Sequence, residues 1–216
     1  MSGTFLLDQN SLEIQYLCKK DKRFAKLISM VGPIEYSVQD ENSYAFLVHE
    51  IIEQMLSIKV ARKIYDRLAD LCDGEITPGR VSRLTDEEIR KTGTSFTKVQ
   101  YIRNTTKAVL SGQLDYSILC KLPDDQVMRV LMSIQGIGRW TAQMYLMFVM
   151  NRPDILPVDD MAFRQVYKWL YKTDDCSLAS IKAKCKKWKP YSSYAARYFY
   201  YALDMGLTKE AFHLYK

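Results

Sequence analysis

The stretch Leu131-Met-Ser-Ile-Gln-Gly-Ile-Gly-Arg-Trp-Thr-Ala-Gln-Met-Tyr-Leu146 constrains this chain most. An apolar segment stops at two glycines, Gly136 and Gly138, and a strongly apolar segment resumes at once. Glycine permits positive φ and close approach of backbones. The spacing therefore predicts two helices joined by a tight corner, the second beginning at Gly138 or soon after. The first N–H groups of a helix have no partner within it, and such a nest binds a phosphate oxygen. Two readings follow. Either the corner simply needs glycine, or it grips a DNA backbone without reading sequence.

The rest of the chain reads as helix. Tyr44, Leu47, Val48, Ile51, Ile52 and Met55 fall on one apolar stripe of a helix starting near Ser43. Thr85-Asp-Glu-Glu88 and Thr97-Lys-Val-Gln100 each match a capping box. Phe163, Val166, Tyr167 and Leu170 share a helical face, and Ser192–Met205 is helix-like. No alternating strand pattern, repeat or low-complexity linker is evident, so the expectation is an all-α protein of about ten short elements. With 216 residues and 48% hydrophobic content, the chain can bury one sizeable core or two small lobes. The longest apolar run, Met144–Met150, makes about two helical turns and is too short to span a membrane. The N-terminal residues lack the pattern of a signal peptide, which predicts an intracellular protein.

Five scattered cysteines without a C-x-x-C pair and only two histidines argue against a zinc or iron–sulfur site. The same scarcity of histidine weakens mechanisms that need a histidine base. A net charge of +6 permits nucleic-acid binding without establishing it. The basic run Lys182-x-Lys184-x-Lys186-Lys-Trp-Lys189 makes no clean helical stripe, and reads as a solvated face with at most a supporting electrostatic role.

About twenty residues beyond the glycines stands Leu156-Pro-Val-Asp-Asp160. Proline cannot sit inside a helix, so Asp160 is placed as the N-cap or first-turn residue of a helix over 161–170. A capping aspartate is the common role. The functional reading uses the same place: a helix N-terminus keeps a carboxylate anionic, and an anion facing bound DNA stabilises a developing sugar cation.

Taken together, Gly136-Ile-Gly-Arg-Trp-Thr-Ala142 and Pro157-Val-Asp-Asp160 resemble the helix-hairpin-helix/Gly-Pro-Asp superfamily of DNA glycosylases, in its 3-methyladenine DNA glycosylase II (AlkA-like) branch. Ile51-Ile-Glu-Gln-Met-Leu-Ser57 with Lys59 resembles that branch's Gln-x-x-Ser helix, 98–115 its next helix and turn, and 188–195 its Trp-x-Pro motif. The resemblance runs from about residue 21 to 205. It implies two helical lobes with a DNA-binding cleft between them: residues 35–150, ending in the hairpin, and 1–34 plus 151–216, carrying Asp160.

The resemblance also implies roles. Asp160 is catalytic. Trp140, Met144, Met161 and Tyr200 line the base pocket, where aromatic faces attract a cationic base. Met55 wedges into the DNA gap, although it falls equally on the apolar stripe of a core helix. Gly136, Ile137, Gly138, Arg139, Thr141, Ser57 and Lys59 meet the DNA backbone. Backbone carbonyls of Met132, Ile134 and Ile137 can hold a structural Na+ or K+; no other cofactor is implied. Ser192 stands where the family often has arginine, and Met144 and Met161 where larger bacterial relatives have aromatics.

Relatives with lyase activity carry a lysine two residues after the second glycine, and here that position is Trp140. The implied enzyme is monofunctional: it flips an alkylated purine such as 3-methyladenine, 7-methylguanine or ethenoadenine from duplex DNA and cuts the N-glycosidic bond with water. It would act as a monomer, in a prokaryotic cytoplasm or a eukaryotic nucleus. The alternative is a non-catalytic helix-hairpin-helix protein that binds DNA structure.

Overall fold

The structure is a computed structural model that describes residues 3–38 and 43–215. The chain divides into two compact units, Met1–Val38 with Asn151–Lys216, and Gln39–Met150. In chain order, the first unit opens with β1 (Gly3–Leu7), α1 (Leu12–Lys20), α2 (Lys22–Val31) and β2 (Ile34–Val38). The second holds α3 (Ser43–Glu53), α4 (Ile58–Leu71), α5 (Pro78–Arg83), α6 (Asp86–Lys91) and α7 (Phe96–Leu110). It continues with α8 (Tyr116–Leu119), α9 (Asp124–Met132) and α10 (Arg139–Met144), which widens into a π-helical segment, Tyr145–Val149. The first unit then resumes with α11 (Met161–Tyr171), α12 (Leu178–Cys185) and α13 (Ser192–Asp204).

The described residues thus form 13 α-helices, most of them short, as the sequence suggested. They also form the one thing it did not, a small sheet. Strands β1 and β2 pair antiparallel, from Gly3 opposite Val38 to Leu7 opposite Ile34. The overlooked signal is Ile34-Glu-Tyr-Ser-Val38, whose residues alternate buried and exposed. Because β2 pairs with β1, the first unit extends to Val38 rather than ending at residue 34. The hydroxyls of Tyr198 and Tyr201, on α13, donate to the carbonyls of Leu7 and Glu35 at 3.0 and 2.6 Å, tying both strands to that helix.

The second unit is built round α3. Leu47, Val48, Ile51 and Ile52 are fully buried, and the helix packs on α4, α7 and the π segment. Thr85 caps α6 in a reciprocal box with Glu88. The second expected box does not form: Ser95, two residues before Thr97, takes the Lys98 N–H and starts α7 at Phe96. Arg103 on α7 pairs with Asp86 at 2.7 Å and donates to the Val81 carbonyl at 2.9 Å, fastening α5 and α6 to α7.

The first unit has an aromatic core in which Phe24, Phe163, Trp188, Tyr198 and Phe199 are fully buried. At its edge, Asp21 is 3% exposed and caps α2 through Arg23 N and Phe24 N. The same carboxylate accepts from the Tyr171 hydroxyl, from Trp188 Nε1 at 3.3 Å, and from Lys187 Nζ at 2.8 Å. The basic run is therefore not all solvated face: Lys187 serves Asp21, Lys184 lies over the Tyr171 ring, and Lys189 reaches Asp154. The five cysteines are free thiols; Cys72 and Cys185 are buried, and burial raises the pKa of both.

Burial alone raises the pKa of Asp21, but Lys187, Tyr171 and the cap bonds outweigh it and hold the carboxyl below the usual aspartate value. A depressed carboxylate stabilises the fold above its unfolded pKa and loses that contribution as pH falls through the folded one. Stability from Asp21 is thus full at neutral pH and fades below about pH 4. Asp21→Asn keeps the cap and should cost about 1.5–3 kcal/mol at pH 7. Urea melts at pH 7 and pH 3 should converge for mutant and wild type at the acid end.

Candidate functional site

In the second unit the hairpin consists of α9, the turn over 133–138, and α10. The two glycines do different things. Gly136 has φ +107°, and a Cβ there would overlap the Tyr101 side chain of α7. Gly138 has φ −87°, a conformation any residue adopts, and a Cβ there would meet nothing within 4 Å. Gly136 is thus required by the fold. Gly138, exposed at the N-cap of α10, is left to be explained by what approaches it from outside. As the N-cap residue, Gly138 brings no side chain of its own to cap α10.

Other expected backbone contacts sort in the same way. Ile137 is buried and its N–H donates to the Ile134 carbonyl at 3.0 Å, so this group closes the turn rather than facing a phosphate. Thr141 is buried and its hydroxyl accepts from Gln54 at 3.3 Å. Gly138 and Arg139 are exposed. So are Ser57 and Lys59; Ser57 is the N-cap of α4, and its side chain makes no cap bond. The Met132, Ile134 and Ile137 carbonyls are hard oxygen donors suited to an alkali cation, and the Ile134 oxygen already accepts the Ile137 N–H.

The Gln-x-x-Ser segment is bonded to this hairpin. Gln54 Nε2 donates to the Gly136 carbonyl at 3.0 Å as well as to Thr141. Lys98, on the first turn of α7, donates from Nζ to the Ile52 and Gln54 carbonyls at 2.8 and 2.6 Å. Burial lowers the pKa of this ammonium. Between these anchors lies Met55, at φ +61° and fully exposed. The helical stripe placed Met55 as readily in the core. The structure removes that reading, because α3 ends at Glu53 and the left-handed turn aims the side chain outward.

Trp140 is half-buried and Met144 is 4% exposed, in the interior of its unit. The apolar run after Met144 forms the π segment, whose Tyr145, Leu146, Met147 and Val149 are buried. On α3, His49 Nδ1 lies 3.3 Å from Glu50 and 3.6 Å from Glu53, and Glu50 in particular raises the histidine pKa. The sequence reading, looking for clustered cysteine and histidine, missed this group.

In the first unit, Asp160 is the N-cap of α11. Its Oδ1 accepts the Phe163 N–H at 2.6 Å, and the residue is 8% exposed. Pro157 helps to set this up: its carbonyl accepts the Asp160 N–H at 3.1 Å, turning the chain into the helix. Met161, next along, is 76% exposed, and Tyr200 on α13 is half-buried. Ser192 is buried, and its hydroxyl donates to Asp154 at 2.5 Å, so this position serves the unit's own structure.

A glycine hairpin with a buried anchor, followed by an aspartate fixed at a helix N-terminus, defines a class that sequence comparison makes definite. Residues 48–190 match the HhH-GPD superfamily of base excision DNA repair proteins, and the chain belongs to that superfamily. It is similar to the crystal structure of a DNA-3-methyladenine glycosidase from Bacillus halodurans, 33% identical, with TM-score 0.83 over 97% of both chains. The Schizosaccharomyces pombe 3-methyladenine DNA glycosylase Mag1, solved in complex with abasic DNA, is 26% identical, with TM-score 0.83 over 90% of this chain and 97% of that one. The putative DNA-3-methyladenine glycosylase YfjP of Bacillus subtilis is 29% identical over 77% of this chain, which spans 61% of its length.

The two glycines should separate in mutagenesis. Gly136→Ala meets both positive φ and Tyr101, and should cost about 2–4 kcal/mol of stability. Gly138→Ala should change stability by less than about 1 kcal/mol while weakening binding to undamaged duplex DNA. Thermal melts and fluorescence anisotropy on the same preparations check both.

Proposed function

We propose that the chain is a monofunctional DNA glycosylase that releases alkylated purines from duplex DNA, acting as a monomer wherever the cell keeps its DNA. The observation that carries this reading is Asp160, pinned by the Phe163 N–H at the N-terminus of α11. There it stands at the partial positive end of the helix dipole.

Alkylation at N3 or N7 makes a purine cationic and a good leaving group. What the enzyme must supply is stabilisation of positive charge developing at C1′. Asp160 supplies that charge and orients the attacking water. No amine follows the hairpin: the position two residues after Gly138 is Trp140, which cannot form a Schiff base. Trp140 and Tyr200 offer π faces to a cationic base, and exposed Met161 offers a soft apolar contact. Met144, on the same helix as Trp140, is nearly buried. Met55 fills the gap that the flipped base leaves. The exposed N-terminal ends of α4 and α10, with Ser57, Lys59, Gly138 and Arg139, hold phosphates. A sodium or potassium ion at the Met132, Ile134 and Ile137 carbonyls would brace the hairpin turn. Beyond that ion the reading requires no cofactor.

The test is incubation with methylated duplex DNA and chromatography of the released bases. Wild type should release 3-methyladenine or 7-methylguanine, or ethenoadenine from a duplex carrying it, and strands should break only after alkali. Asp160→Asn should keep the cap and the fold while lowering the rate by about 10²–10³-fold. Binding without base release would leave a DNA structure-binding protein instead.

A further inference from the structure

We infer that Lys98 is a positioning residue for strand opening: it presets Met55 as a wedge and, through Gln54, couples that wedge to the hairpin. The inference rests on the glycosylase reading only in taking Met55 as the residue that enters DNA.

A helix leaves its last carbonyls without partners. At the end of α3, the Glu50 carbonyl takes the Gln54 N–H and the Glu53 carbonyl takes the Leu56 N–H. The Ile52 and Gln54 carbonyls are taken by one ammonium, Lys98 Nζ. The Gln54 carbonyl belongs to the peptide that leads into Met55, so the bond of 2.6 Å fixes the plane of that peptide. From the other side the Gln54 amide is fixed by Gly136 and Thr141. Both constraints meet at Met55, a non-glycine residue at φ +61°. That conformation is strained for a residue with a Cβ and persists only where its surroundings impose it. Met55 makes up none of this by burial, because it is fully exposed. Two charge-assisted hydrogen bonds and a side-chain bridge therefore hold an apolar side chain out into solvent. A lysine serving only the fold would not need to brace so exposed a residue. Bracing it lowers the cost of ordering a wedge when DNA binds.

The test is a double-mutant cycle on the full chain, with Met55→Ala, Lys98→Met and the pair. The first substrate is a duplex with one ethenoadenine and 2-aminopurine opposite it. The second is the same duplex with a tetrahydrofuran abasic analogue, which needs no chemistry. The third is the ethenoadenine single strand, which has no stacked partner to open. Lys98→Met should slow single-turnover excision from the duplex by about 10–100-fold and diminish the 2-aminopurine rise on both duplexes. Excision from the single strand should stay within about 2-fold, and the double mutant should be no slower than Met55→Ala alone. Lys98→Arg should restore most of the signal. Should Lys98→Met fail to fold, Lys98→Gln, which keeps a donor, carries the same cycle. Unchanged opening in the lysine variants, equal losses on duplex and single strand, or multiplicative effects in the double mutant would overturn the inference. A wild type that releases no base from this duplex or from methylated DNA would instead refute the glycosylase reading, and the abasic duplex would still decide for or against Lys98.

Discussion

The bridge from the Gln54 side chain to the Gly136 carbonyl is the contact on which the hairpin region of the second unit depends. It joins the end of α3 to the hairpin turn across 82 residues of sequence. The turn can accept it only because Gly136 adopts φ +107° with its bare Cα against Tyr101. A side chain at residue 136 would push the turn off α7 and carry the carbonyl away from Gln54. One steric requirement thereby sets the start of α10, the exit from α3 and the exposure of Met55. The N-terminus of α10 and the exposed Met55 then share a single bonded framework, although they lie far apart in the chain.

Asp160 shows a second economy. Its bond to the Phe163 N–H is an ordinary helix cap, worth about 1 kcal/mol to the fold. The same bond fixes the orientation of a carboxylate. Structure and chemistry make the same demand here, so a capping reading and a catalytic reading of this residue do not compete. They would part only on substitution by asparagine, which caps but carries no charge.

Much of this was legible from the sequence because it rests on local rules. The corner at 136–138, the cap at Asp160 and the stripe of α3 follow from glycine conformation, proline exclusion and helical period. The family resemblance supplied the roles. What was not legible depends on residues distant in sequence. Met55 extended the stripe on paper, and only the bonds from Lys98 and Gln54 show that the helix stops before it. Ile137 and Thr141 looked like backbone-binding residues by their place in the motif, yet the Ile137 N–H closes the turn and the Thr141 hydroxyl accepts from Gln54. Ser95, not Thr97, caps α7, because the helix starts two residues earlier than the Thr97–Gln100 pattern implied. The strand Ile34–Val38 was too short to register against so much helix, although its alternation was present.

The central claim is that water, and no group of the protein, attacks the sugar, with Trp140 standing where a lysine would act. Borohydride trapping during turnover on a duplex with a single alkylated purine tests it most directly. The expected result is released base and an abasic strand with no covalent protein–DNA complex at any time point. A trapped complex that accumulates with base release would contradict it.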